Sequence, residues 1–265
     1  MKVNRALSAA LLQAATEAAH QAGRLLLANV QKNRKVQLKG RIDLVTEMDL
    51  RSETLIVAHL RRAFPESSFL TEEGSVREEA AEVKWIVDPL DGTTNYAHTF
   101  PVWCVSIAAE CNGELVAGCI YDPTRDEMFT ATKHDVARLN RGPIAVSDRR
   151  RLDQALLATG FPYDIRTSRI NNLVNFTNFV KTARAVRRAG SAALDLCYLA
   201  CGRFDGYWEL KLHPWDMAAG VLIVRQAGGR ISDFDGNEFS IYKDRLLGSN
   251  GRIHKEMMRV LAAGK

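Results

Sequence analysis

Trp85-Ile86-Val87-Asp88-Pro89-Leu90-Asp91-Gly92-Thr93-Thr94-Asn95 is the stretch on which the reading of this 265-residue chain turns. Trp85 to Val87 have the apolar, β-branched and aromatic character of the end of a buried strand. That strand runs into two aspartates, Asp88 and Asp91, separated only by Pro89 and Leu90. Pro89 and Gly92 are expected to break it and leave both carboxylates on a stiff turn at the edge of a sheet. Two carboxylates about 4 Å apart repel by about 4 kcal/mol at an effective dielectric of about 20, so the pair needs a counter-cation. Hard oxygen donors without a neighbouring Cys or His favour Mg²⁺ over zinc. Gly92 and Thr93 add closely approaching backbone N–H groups and a hydroxyl. An isolated D-x-x-D-G is an ordinary turn, so the other acids must decide.

Asp43-Leu44-Val45-Thr46-Glu47-Met48-Asp49 opens a helical pattern, because Leu50, Leu55, Ile56 and Leu60 recur at helix-like spacing. Taken alone, Thr46 and Asp49 read as a cap and a first-turn acid. Glu72-Glu73 follow the short apolar strand end Ser68-Phe69-Leu70-Thr71. Far downstream, Trp215-Asp216-Met217-Ala218-Ala219-Gly220 opens the apolar run Val221 to Val224, which stops at Ala227-Gly228-Gly229. Asp216 alone would be an ordinary acid at a helix start.

Together these pieces resemble the inositol monophosphatase family, within the superfamily of lithium-sensitive, Mg²⁺-dependent phosphatases. Trp85 to Tyr96 matches that family's first signature, W-[IV]-[IV]-D-P-[IL]-D-G-T-x-N-[FY], at every position. Trp215 to Gly229 matches the second, W-D-x-A-[AG] followed by an apolar run and Gly-Gly. Gly190-Ser191-Ala192-Ala193-Leu194-Asp195 resembles its G-[ST]-A-A segment, and Glu72-Glu73 its acidic pair. Lys39-Gly40 with Asp43, Leu44, Val45, Thr46 and Asp49 resembles its K-G-x-x-D-x-V-T-x-x-D segment. The likeness runs in order from about residue 5 to about residue 260.

The resemblance implies an α+β (mixed α/β) fold, an αβαβα layered sandwich with its site in a cleft between two halves. It implies Mg²⁺ held by Glu72, Asp88, Asp91, Asp216 and the carbonyl of Leu90. Thr93, with Glu72, matches the residue that orients the attacking water, and Asp49 matches the acid bonded to that threonine. The backbone N–H groups of Gly92 and Thr93 are expected to cradle the phosphate. Asp91, Gly190, Ser191, Ala192, Glu209 and Asp216 match positions that hold substrate, chiefly inositol hydroxyls. Lys211 departs from the pattern, since inositol enzymes commonly carry a small residue there. Ser191 also reads as a plain helix cap. The implied reaction is hydrolysis of myo-inositol 1-phosphate or a related phosphomonoester by direct attack of water, in a homodimer. Sister activities on histidinol phosphate, fructose bisphosphate or a nucleotide 3′-phosphate share the metal chemistry. Some bacterial relatives also bind RNA or the transcription machinery, a role that Arg184, Arg187 and Arg188 would support as a basic helix face.

Composition agrees with an ordinary globular protein, with 25% charged residues and a mean hydropathy of −0.17. No apolar run approaches the ~18 residues of a membrane span. Leu7 to Val30 is interrupted by Gln13, Glu17, His20, Gln21 and Arg24, which makes an amphipathic helix rather than a signal peptide. Five cysteines, an odd number in mostly apolar contexts, point to buried thiols and a cytoplasmic location. The net charge of +5 suits an anionic ligand, although Arg149-Arg150-Arg151 and the Lys181 to Arg188 group read as solvated faces.

Two subdomains are expected, 1–150 carrying Asp49, Glu72, Asp88 and Asp91, and 151–265 carrying Gly190 to Asp195 and Asp216, forming one compact unit. Strands are expected near 36–38, 68–71, 84–88, 103–111, 115–122 and 127–132, with a hairpin at Asn112-Gly113. Further strands are expected near 155–159, 206–209, 230–233 and 246–248. Helices are expected near 5–30, 48–63, 168–182, 191–200, 215–226 and 253–262.

Overall fold

The computed structural model describes residues 3–31, 36–38, 44–74 and 81–263, with backbone alone at 36–38 and 44–46. Lys39, Gly40 and Asp43 of the upstream segment lie outside the described residues. In chain order the first half holds α1 (Arg5–Leu27), β1 (Val36–Leu38), β2 (Leu44–Thr46), α2 (Glu47–Ala63), β3 (Ser68–Thr71) and β4 (Val83–Asp91). There follow α3 (Thr93–Ala97), β5 (Cys104–Cys111), β6 (Glu114–Asp122), β7 (Glu127–Thr132), β8 (Arg138–Leu139) and β9 (Gly142–Pro143). Beyond a 3₁₀ turn come β10 (Leu156–Thr159), α4 (Leu173–Thr182), β11 (Ala185–Arg187), α5 (Ala192–Ala200) and β12 (Gly206–Leu210). The chain ends with α6 (Pro214–Gln226), β13 (Arg230–Ser232), β14 (Arg245–Ser249) and α7 (His254–Ala262).

β3 to β9 form a seven-stranded sheet in sequence order, antiparallel except for the parallel β3–β4 pair. The second sheet has the order β11-β10-β12-β14-β13. Side-chain alternation assigns the layers. Trp85 and Val87 of β4, with Val105 and Ile107 of β5, face α1 and α2 through Leu11, Ala18, Leu26, Ile56 and Leu60. Ile86, Ala108 and Ile120 face the opposite way, onto Leu194 and Leu196 of α5 and Val221 and Val224 of α6. Ala158, Tyr207 and Leu246 of the second sheet close that middle layer. Leu157, Trp208 and Leu247 face outward against Phe179 of α4 and Met257 and Leu261 of α7. The result is the αβαβα sandwich. α6 is apolar all round because both its faces are covered, with Met217 to Val224 buried without interruption.

Several elements differ from expectation for identifiable reasons. β4 is neither broken at Pro89 nor at an edge; it continues to Asp91 between β3 and β5 by way of an irregularity in pairing. Residues 168–172 are loop, because Asn172 adopts φ 70° and α4 starts only at Leu173. Asn172 is fixed there: its Nδ2 donates to Thr159 Oγ1 and Gly160 O, and its Oδ1 accepts from Trp208 Nε1. Arg184, Arg187 and Arg188 do not share a helix face, since Ala185–Arg187 is an edge strand. α3, β8, β9 and β11 were not legible, being too short to show a period. At the Asn112-Gly113 hairpin both residues have positive φ, 51° and 79°, as a two-residue turn matched to strand twist requires. All five cysteines are free thiols. No helix among the described residues is long and apolar enough to cross a membrane.

His254 gives the fold a pH dependence. It is fully buried, its Nε2 and Nδ1 each 2.8 Å from a serine hydroxyl, Ser232 and Ser249. Burial, and secondarily Arg230, push its pKa down to about 4 from an unfolded value of 6.5. The unfolded chain therefore binds the proton first, and stability is complete above pH 6.5 and lost as pH falls towards 4. The loss should reach on the order of 2 kcal/mol after allowance for screening. Urea unfolding of wild type and His254→Gln between pH 7 and pH 4.5 checks this; an unchanged pH dependence in the variant would refute it.

Candidate active site

Residues Asp88 and Asp91 are three apart, so in a regular strand they would face opposite sides of the sheet. Against β5, however, Asp88 pairs with Ser106 and Asp91 with Cys104: three residues forward on β4 for two on β5. The extra residue is a bulge that shifts the phase of the strand and re-aims one side chain. Pro89, which has no N–H to donate, is tolerated at this irregularity. Asp88 is buried, and its Oδ1 accepts from the Leu90 N–H at 3.0 Å.

One face of α2 secures the bulge. Asp49, Ser52 and Glu53 stand at i, i+3 and i+4 and are all buried. Ser52 Oγ donates to Pro89 O at 2.8 Å, and Glu53 Oε2 accepts from the Glu73 N–H at 3.0 Å, holding the acidic pair in place. Thr93 Oγ1 lies 3.1 Å from both Asp49 Oδ1 and Leu90 O. The sequence reading missed Ser52 and Glu53, although polar residues at that spacing on an otherwise amphipathic helix were a usable signal. Gly92 has φ 92°, and a Cβ there would meet Val102 O at 2.8 Å, so both conformation and space demand glycine.

The second half reaches the same place through α5. Asp91 Oδ2 accepts from Ser191 Oγ at 2.6 Å and from the Ala193 N–H at 2.8 Å, at the positive end of that helix. Ser191 is also the N-cap, accepting from the Leu194 N–H, so the cap and the site contact are one residue. Gly190 takes φ 90° before it, and Asn95 Nδ2 donates to Ala189 O and Val102 O across the junction. Cys104 Sγ lies 3.8 Å from Asp91 Oδ2, a thiol neighbour that the sequence did not reveal because it arrives from β5. Burial, and secondarily Asp91, push that thiol well up, so it stays protonated and is no competing ligand.

Asp216 occupies the third position of α6 and accepts from the His213 N–H at 2.7 Å in a capping box. Glu209, at the end of β12, accepts from Tyr207 Oη at 2.5 Å. Its carboxylate fills the notch left by Gly160, where a Cβ would lie 2.0 Å from Oε1. Burial raises the Glu209 pKa to about 7. Asp195, one turn into α5, is buried with Oδ1 unpartnered, and burial and Glu209 raise its pKa.

The structure thus gathers Asp49, Glu72, Asp88, Leu90, Asp91, Gly92, Thr93, Gly190, Ser191, Ala192 and Asp216 around the junction of the bulge with α5 and α6, with Glu209 near by. Burial pushes the Asp88 carboxyl well up, and Glu72, Asp91 and Asp216 add to it in that order of cause among themselves. Burial also raises Asp91 and Asp216. Among the described residues no three such side chains already close on a common point as a metal cage. The donor chemistry nevertheless fits a hard divalent cation, which would relieve the repulsion among these carboxylates.

Lys211 sits apart from this cluster. Its Nζ is 2.6 Å from Asp164 Oδ2 and 2.8 Å from Ser168 Oγ, so its charge is matched within the protein. Its φ of 62° is left-handed, which costs a non-glycine residue about 1–2 kcal/mol, while a partly exposed ion pair returns about 0–1.

Comparison with known proteins identifies the family. The profile of the Inositol monophosphatase family matches residues 8–263. An inositol-1-monophosphatase from Synechocystis is 44% identical over 254 residues, covering 95% of this chain and 88% of the relative. A protein named Nus factor SuhB from Pseudomonas aeruginosa is 40% identical over 260 residues, covering 95% of each. The solved structure of an inositol monophosphatase from Anabaena superposes with a TM-score of 0.87 at 42% identity, covering 95% of both chains. The chain belongs to the inositol monophosphatase family of metal-dependent phosphatases.

Proposed function

We propose that this protein is a Mg²⁺-dependent phosphomonoesterase that hydrolyses myo-inositol 1-phosphate and related monophosphates by direct attack of water, without a phosphoenzyme. The observation that carries this reading is the clustering of Glu72, Asp91 and Asp216 about the buried Asp88, beside the Thr93–Asp49 pair. When bound by these carboxylates and the Leu90 carbonyl, Mg²⁺ supplies a water of lowered pKa and neutralises charge on the departing oxygen. The chain's own groups do the positioning. Thr93 Oγ and Glu72 orient the water, and Asp49 takes up the threonine's proton. The N–H groups of Gly92 and Thr93 hold phosphoryl oxygens, as unpaired amides at a turn can. Asp91, Ser191, Ala192 and Glu209 line the side that receives the alcohol, and Ser191 keeps Asp91 in place while doing so. Inhibition by lithium belongs to the same reading.

Substrate choice rests on Glu209. Each hydrogen bond from a ring hydroxyl to a carboxylate is worth about 1.5–3 kcal/mol. Glu209→Ala is therefore expected to lower kcat/KM for inositol 1-phosphate by roughly tenfold or more and to spare p-nitrophenyl phosphate, which has no such hydroxyls. Equal losses on both esters would remove the hydroxyl-recognition role.

The homodimer reading is supported by the exposed apolar residues Ile170, Leu173, Val174 and Val180 on and before α4. A second, transcription-linked role is supported by the exposed Arg184, Arg187 and Arg188 at the open edge of the second sheet and by the Nus-factor names of relatives. RNA binding that falls steeply with salt and is lost on replacing the three arginines would sustain it; no binding at low salt would end it.

A further inference from the structure

We propose that Lys211 is a specificity-determining residue: it latches the 161–171 segment to the end of β12 and so fixes the wall against which Glu209 receives the alcohol of the substrate. The inference rests on the proposed role of Glu209.

The segment joins β10 to α4, and its two ends are clamped together. Asn172 Nδ2 donates to Gly160 O at 2.7 Å and to Thr159 Oγ1 at 2.9 Å, while Asn172 Oδ1 accepts from Trp208 Nε1 at 2.9 Å on β12. Between the ends the chain makes tight local turns, with the Thr167 and Ser168 N–H groups both donating to Asp164 O at 2.9 Å. Lys211 reaches into the middle of this turn: its Nζ donates to Asp164 Oδ2 and to Ser168 Oγ. One ammonium thereby grips two residues of the segment from the strand that carries Glu209.

The other end of the argument is the seat of Glu209. Its carboxylate occupies the place where a Cβ on Gly160 would be, so the residue that leads into the segment abuts the proposed hydroxyl acceptor. Loosening 161–171 therefore leaves that side of the seat held by the Asn172 clamp alone, whereas Tyr207 Oη, which holds Glu209 Oε2, would be untouched. The backbone explains why this is a dedicated device. Lys211 holds φ 62°, a conformation in which glycine is at ease and lysine is strained, and its ion pair lies at a partly exposed position where such pairs return little. Stability alone gives no reason for a lysine here; the grip on Asp164 and Ser168 does.

The test is Lys211→Gly, which relieves the backbone while removing the latch, measured beside Lys211→Arg, Asp164→Asn and Glu209→Ala. Lys211→Gly should melt no lower than wild type, yet amide exchange in 161–171 should speed up by roughly fivefold, the scale of a partly exposed ion pair. Its kcat/KM for inositol 1-phosphate should fall by about the same factor through KM, with kcat and p-nitrophenyl phosphate hydrolysis unchanged. Asp164→Asn should copy this pattern and Lys211→Arg should restore most of the wild-type ratio between the two esters. Unchanged exchange in 161–171 would overturn the latch. Faster exchange with an unchanged ester ratio, while Glu209→Ala remains selective, would overturn the specificity role alone. If Glu209→Ala is also unselective, the reading of Glu209 falls and this proposal with it.

Discussion

Asp88→Asn is expected to abolish phosphate release, by about 10³-fold or more, while the protein folds normally and melts in chelator at an unchanged or higher temperature. Removing an outer partner of a metal ligand typically costs about 10–100-fold, and losing a ligand itself costs more. The opposite sign for stability follows from the electrostatics. Asp88 is buried and is repelled by Glu72, Asp91 and Asp216, so without a cation its charge is a liability to the folded state. Asparagine keeps the oxygen that accepts from the Leu90 N–H and discards the charge. Asp216→Asn should behave alike, because asparagine retains an acceptor for the His213 N–H. Phosphate release and thermal unfolding, each with Mg²⁺ and with EDTA, measure both effects. Full activity in Asp88→Asn, or a large loss of stability in chelator, would contradict the proposal.

Thr93→Ala carries the second largest expected effect, a fall in kcat of about 10²–10⁴-fold, the usual worth of a positioned proton-transfer group. The hydroxyl stands 3.1 Å from Asp49 Oδ1 and 3.1 Å from Leu90 O, between the acid that would take its proton and a carbonyl of the proposed cage. Because it is not itself in the proposed cage, the Mg²⁺ concentration for half-maximal activity should move little. Thr93→Ser should recover most of the turnover. A loss under about threefold in the alanine variant would reduce Thr93 to a residue of the turn.

What was legible in the sequence, and what was not, divides along the range of the interactions. The two signatures were readable because each compresses several functional groups into consecutive residues: Asp88, Leu90, Asp91, Gly92 and Thr93 lie within a single bulge and the turn after it. The layered sandwich could be expected from the same resemblance, and its strands from short apolar and β-branched runs bounded by turn residues. The bulge itself was missed, because nothing in Asp-Pro-Leu-Asp announces which strand it pairs with. Cys104 beside Asp91, the notch at Gly160 and the Tyr207–Glu209 contact all depend on chain segments brought together from other strands. The expected helix over 168–182 failed at its start because Asn172 is locked by Thr159, Gly160 and Trp208, a tertiary bond set stronger than local propensity. The expected basic helix face at Arg184 to Arg188 failed because three residues are too few to show a strand's alternation.

Asp91 deserves its central place in the mechanism on structural grounds. It closes β4 of the first sheet, yet its Oδ2 is held by Ser191 and by the Ala193 N–H of α5. A proposed metal ligand is therefore also the hydrogen-bonded joint between the first sheet and the middle helical layer, so the substrate side and the cation side cannot move independently.

The most direct test of this account is phosphate release from inositol 1-phosphate by chelator-treated protein as Mg²⁺ is titrated back. The account expects no turnover in chelator, recovery that saturates with Mg²⁺, and no recovery in Asp88→Asn at any concentration. Turnover that persists in EDTA with metal-free buffers would contradict it.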